Sequence, residues 1–184
     1  MSTVAVFLAD GFEEIEALTI VDLCRRAGIR TITVSITEDR QVTGSHKIPV
    51  LADCLLKEVD FAGTDMLVLP GGMPGTLNLE ACPYLMDRVK EFHADGKCIS
   101  AICAAPTILA HLGFLNGRNA CCFPSMEEQL ADAKLSHEPV EVSDHITTSR
   151  GMGTAMELGL AIVERFQGKE TADRLAQTVV YKRI

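Results

Sequence analysis

The stretch Lys97-Cys-Ile-Ser-Ala-Ile-Cys-Ala-Ala-Pro-Thr107 decides how this chain reads. Residues 97–102 read as a strand and residues 104–112 as a short helix. Pro106 is tolerated in that helix because a first-turn N–H has no partner to lose. Cys103 stands at the junction, flanked by small residues at Ala101, Ala104 and Ala105. A sharp strand-to-helix turn needs small neighbours, and it holds the central side chain up into a cleft. Free N–H groups and partial positive charge at a helix start stabilise a thiolate, so this reading expects a lowered thiol pKa. The competing reading is an inert, buried cysteine in a strand-to-helix loop.

Working outward, the same grammar repeats. Val4-Ala-Val-Phe-Leu8 lies in an expected strand over 3–9, and its unbroken apolar run is that of a strand covered on both faces. A helix is expected over 14–27, with Ile15, Leu18, Val21, Cys24 and Ala27 as its apolar stripe, widened by Ile20 and Leu23. Glu13, Glu14 and Glu16 at its start and Arg25-Arg26 at its end suit the helix dipole, and Gly28 stops it. Further strands are expected over 29–36, 66–69, 118–123 and 139–148, a hairpin over 41–53, and helices over 83–94, 151–167 and 169–180. Strands alternating with helices imply an α/β protein, a mostly parallel sheet with helices on both faces. No internal repeat or long linker divides the chain, so residues 1–184 read as a single domain.

The totals narrow the function. The chain has 184 residues, 47% hydrophobic and 23% charged, with a formal net charge of −8. An acidic balance repels phosphate backbones and anionic lipid, so nucleic acid and membrane are not expected as partners. No apolar run reaches the roughly 18 residues of a membrane span, and the start lacks a signal peptide's basic residues; a cytoplasmic protein is expected. The seven cysteines include no Cys-x-x-Cys pair, which argues against a zinc site or a disulfide framework. Apart from Cys103 they read as small buried hydrophobes. No bond is expected within the vicinal Cys121–Cys122 pair, because neighbours on a strand point to opposite faces.

In parallel sheets ligands sit beyond the carboxyl ends of the strands. Three features should meet there: Glu13–Glu16, Gly71-Gly72 and Cys103. Glu13 and Glu16 are three apart and share a helix face. A carboxylate near a thiolate should have a raised pKa and could, when protonated, donate to the sulfur. Gly72 and Ala104 could offer backbone N–H groups to an oxyanion. The alternatives are a plain turn at Gly71-Gly72 and glutamates that merely favour a helix start.

Together these segments resemble the ThiJ/PfpI family, in particular the branch of the parkinsonism-associated protein deglycase and its bacterial relatives. The matching stretches are Asp10–Glu16, Arg25–Ile29, Val68–Gly72, Ala101–Thr107 and Thr148–Thr154, in the family's order. The resemblance implies a flavodoxin-like three-layer sandwich and a homodimer. It maps the reactive cysteine to Cys103, its glutamate partner to Glu16 and the anion-binding amides to Gly72 and Ala104. Glu13, Gly71 and Phe123 are further pocket candidates. The implied activity is that of a glyoxalase or deglycase needing no cofactor or metal. Its substrates would be 2-oxoaldehydes such as methylglyoxal and glyoxal, or their early adducts with thiols and amines. Redox-sensing and chaperone roles are also attributed to the family. Phe123 stands where some members carry a histidine, and His46 where some carry an arginine. A cysteine protease or amidotransferase usually needs a histidine base, and none follows Cys103.

Overall fold

The computed structural model describes residues 2–182. Its eleven strands are β1 (Thr3–Leu8), β2 (Arg30–Ser35), β3 (Gln41–Thr43), β4 (Pro49–Leu51), β5 (Cys54–Leu55), β6 (Met66–Leu69), β7 (Cys98–Ile102), β8 (Asn119–Ala120), β9 (Lys134–Leu135), β10 (Val140–Ser143) and β11 (Ile146–Ser149). The helices are α1 (Glu14–Arg26), α2 (Gly75–Glu80), α3 (Pro83–Ala94), α4 (Pro106–His111), α5 (Ala155–Gln167) and α6 (Lys169–Thr178). Seven strands form the central sheet in the order β10-β11-β7-β6-β1-β2-β5. Every pairing in it is parallel except β10 with β11.

Strand β1 runs through the middle of two cores, which accounts for its unbroken apolar sequence. Val4, Val6 and Leu8 face α1, α5 and α6 through Ile20, Leu23, Leu158, Ile162 and Ala172. Ala5 and Phe7 face the opposite layer with Leu85, Val89, Phe92, Ile108 and Leu109 of α3 and α4. The result is the expected three-layer α/β sandwich. Residues 41–53 form the expected hairpin, with β3 antiparallel to β4. Among the described residues no helix is long and apolar enough to cross a membrane.

One expectation about α1 is overturned. Ile15 is 50% exposed and Leu18 37%, whereas Glu14, Glu16, Ala17, Ile20, Val21, Leu23 and Cys24 are buried. A strict three-residue spacing falls about 60° behind a helix of about 3.6 residues per turn at every step, so it cannot stay on one face. The face that packs on the sheet follows positions 17, 20, 21 and 24, with Leu23 beside it. Ile15 and Leu18 look outward.

Candidate active site

Strand β7 delivers Cys103 to the carboxyl edge of the sheet and turns at once into α4. The turn requires φ +65° at Cys103, in the left-handed region that non-glycine residues seldom occupy. Two backbone bonds hold it there. The Cys103 N–H donates to the Ser149 carbonyl of β11 at 3.0 Å, and its own carbonyl accepts from the Phe123 N–H at 2.8 Å. The thiol is thus fixed by the strand beside it and by the segment that carries Phe123.

Helix α1 starts beyond the neighbouring strand β1 and brings Glu16 to the same edge. The Glu16 side chain is buried and hydrogen-bonds the Cys103 thiol. Its Oε2 also accepts from the Gly71 N–H at 2.9 Å. Strand β6 lies between β1 and β7 in the sheet, so the loop after it passes between thiol and carboxyl. That loop must be glycine. A Cβ on Gly71 would stand 2.6 Å from Cys103 Cβ and 2.7 Å from Glu16 Oε2. At Gly72, φ is +90° and a Cβ would stand 2.4 Å from the Glu13 nitrogen. With no side chain at either position the loop presents its amides, and the N–H groups of Gly72 and Ala104 both reach the sulfur.

The electrostatics correct the sequence reading of the thiol. Burial pushes Cys103 up to about 12, and the adjacent Glu16 charge adds to the rise; the amides of Gly72 and Ala104 pull the other way. Only Ala104 contributes a helix-start amide at the sulfur, since the Ala105 N–H is spent on the Ile102 carbonyl. Glu16 is raised, as expected, but by burial and not by a neighbouring thiolate: burial takes it to about 7, its bonds to Cys103 and Gly71 oppose the rise, and Glu13 assists it. The two groups titrate as a pair. Once the pair has lost one proton, the one that remains can rest on sulfur or on carboxyl. With the carboxyl neutral, the charge and the acceptor bond that raise the thiol are both gone.

The other glutamates go elsewhere. Glu13 accepts from the Ser45 hydroxyl at 3.0 Å. Glu14 is buried under the hairpin, where its Oε1 accepts from the His46 and Ile48 N–H groups at 2.8 and 3.4 Å. Glu13, Glu14 and His46 are the one group among the described residues whose ligand atoms lie close enough together, within 4.8 Å, to hold a metal. The Glu14 oxygens are already committed to hairpin donors.

Phe123 lies at the mouth of the site, 44% exposed. Gly151, which the spacing did not single out, completes the wall. The point where its Cβ would stand is 3.4 Å from the Phe123 ring and 3.9 Å from Glu16 Oε1. Its only signal in sequence was its place in the 148–154 stretch. None of the five histidines bonds the thiol or Glu16: His46 pairs with Glu14, His93 with His145, His111 with Glu80 and His137 with Glu127. Cys121 and Cys122 are both free and buried, and Cys54, Cys82 and Cys98 are only half-buried.

Fold and site define an α/β protein organised around one cysteine at a strained strand-to-helix turn, with a buried glutamate as its partner. The chain belongs to the DJ-1/PfpI family, whose sequence profile matches residues 2–165. It is 35% identical over 178 residues to Protein DJ-1 homolog B of Arabidopsis thaliana; the match covers 96% of this chain but 41% of the plant protein. So the chain spans about two-fifths of that relative's length. It is 34% identical to the glutathione-independent glyoxalase DJR-1.2 of Caenorhabditis elegans, covering 89% of this chain and 87% of that one. The solved structure of oxidized Toxoplasma gondii DJ-1 superposes with a TM-score of 0.95 at 34% identity, over 100% of both chains.

Proposed function

We propose that this protein is a cysteine-dependent glyoxalase that also handles early thiol or amine adducts of 2-oxoaldehydes, as a deglycase would, without a cofactor. The hydrogen bond between Glu16 and Cys103, with the Gly72 and Ala104 amides at the sulfur, carries this reading. In the tautomer with a neutral carboxyl, the thiolate attacks the aldehyde carbon of methylglyoxal. The carbonyl π electrons move to oxygen, and the resulting oxyanion faces the two amides. Protonation gives a hemithioacetal. Glu16, now a carboxylate, removes the proton from the former aldehyde carbon, and the electrons flow into the ketone to form an enediolate. Returning that proton to the adjacent carbon, while the hydroxyl proton on the sulfur-bearing carbon passes to the neighbouring oxygen, leaves a thioester of lactate on Cys103. Water hydrolyses it, releasing lactate and the thiol. No electron leaves the system, so no redox cofactor is consumed. The named glyoxalase relative supports the same assignment.

Lactate formation from methylglyoxal should persist in chelator and disappear in Cys103→Ala. Unchanged turnover in that variant would remove the proposal's basis. A second reading, an oxidation sensor or redox-regulated chaperone, uses the same accessible thiol and is favoured by the oxidized state named for the Toxoplasma structure. Protease or amidotransferase chemistry lacks support, because each histidine is bonded away from the thiol. We further propose a cytoplasmic homodimer of single-domain chains, joined through the outward apolar face formed by Ile15, Leu18 and Ile48.

A further inference from the structure

Three large apolar side chains that the core does not use belong to the segments that wall the thiol site. Phe123 is 44% exposed, Met73 43% and Met152 51%. Each is tied to a wall of the site. Met73 follows Gly72, whose amide faces the sulfur. The Phe123 N–H bonds the Cys103 carbonyl. Met152 follows Gly151, the residue between the Phe123 ring and Glu16.

The gap at Gly151 matters most. The 3.4 Å and 3.9 Å distances from its Cβ position bring carbons of the Phe123 ring and the proton-carrying carboxyl to the same open point. A substrate whose reacting carbons lie between Cys103 and Glu16 would direct its remaining substituent toward that ring. A phenyl ring offers no hydrogen bond to a hydroxyl or a second carbonyl, but it does offer apolar area and an edge or face for stacking.

We propose that Phe123 is a specificity-determining residue, and that the site favours 2-oxoaldehydes bearing an aryl or bulky apolar substituent over glyoxal and methylglyoxal. This inference rests on the glyoxalase reading for its substrate class, and on the rim geometry for its preference.

The test compares kcat/KM for phenylglyoxal and methylglyoxal in the wild type, Phe123→Ala, Phe123→His and Gly151→Ala. Comparing the ratio between variants cancels the intrinsic reactivities of the two aldehydes. The aryl-to-methyl ratio should fall about 5-fold in Phe123→Ala and Phe123→His, chiefly through the KM for phenylglyoxal. Gly151→Ala puts a methyl group in the gap at ordinary contact distance, at a position free of left-handed strain, so it should lower the ratio without unfolding the chain. A ratio that stays constant across the three variants overturns the inference.

A parallel measurement needs no turnover: the rates at which iodoacetamide and N-benzyl iodoacetamide alkylate Cys103, read by mass spectrometry. The benzyl-to-plain ratio should fall about 5-fold in Phe123→Ala. Absent turnover of both aldehydes in the wild type would sink the glyoxalase reading alone. The alkylation ratio would then decide the apolar wall by itself, a fall supporting it and constancy refuting it.

Discussion

At the scale of single residues, the site is a contest between burial and hydrogen bonding over one proton. Burial raises both Cys103, to about 12, and Glu16, to about 7. The first proton therefore leaves the pair near pH 7, and only then does a thiolate tautomer exist. Reactivity of Cys103 toward iodoacetamide should rise through a pH of about 7 in the wild type. In Glu16→Gln the thiol titrates as a lone group and that inflection should vanish; a rise through the same pH in both proteins would show that Glu16 is not the partner. Gly71 belongs to the same argument. Any side chain there would meet Cys103 and Glu16 below 3 Å, so a glycine that reads as a plain turn in sequence is what allows the pair to form.

At the scale of elements, the long apolar runs were legible and the short pieces were not. Strands β1, β6 and β7 could be read because both of their faces are covered. Helix α3 begins and ends where its proline and its apolar spacing indicate, at Pro83 and Ala94. Helix α2, only Gly75–Glu80, escapes a periodicity argument because six residues span less than two turns. Strand β8 falls inside the strand expected over 118–123 but keeps only two of its residues, and the two-residue strands β5 and β9 are set by pairing alone. At the opposite end of the sheet, α3 is tied to the β10–β11 turn by a bond of 2.9 Å between His93 Nδ1 and His145 Nε2. The His93 ring stacks on Phe114 with centroids 3.8 Å apart. Burial first, then the charges of His145 and Arg118 at His93 and of Arg118 and Arg165 at His145, holds both histidines below their ordinary value of 6.5, with Asp144 opposing at His145. The folded chain then binds fewer protons than the unfolded chain below that value. This contribution is whole above pH 6.5 and is lost as pH falls through the depressed values. Thermal unfolding followed from pH 7.5 to 5.5 (about one unit either side of a histidine's ordinary titration) should show a gentler acid loss in His145→Gln than in the wild type. Parallel curves would show that the pair contributes nothing to acid sensitivity.

At the scale of the molecule, the exposed face of α1 and the hairpin remains without a packing partner within the chain. Ile15, Leu18 and Ile48 line one groove with Met156 and Val179. This apolar surface is the face through which the proposed homodimer would join. Leu18→Glu should shift the protein from dimer to monomer in analytical ultracentrifugation; an unchanged sedimentation coefficient would exclude this face. By itself the sequence determined the alternation of buried strands and helices, hence the parallel sheet, and the placement of a cysteine at a strand-to-helix turn. Those are local properties, carried by period and by small or φ-restricted residues. Only the tertiary structure decided that Glu16 meets the thiol while Glu14 holds the hairpin and Glu13 bonds Ser45. It also decided that Ile15 and Leu18 look outward, and that burial drives the thiol pKa up. Each helix residue advances about 100° around the axis, so neighbouring glutamates point in different directions. What each then meets depends on strands and loops that lie far away in sequence, and on how much water they exclude.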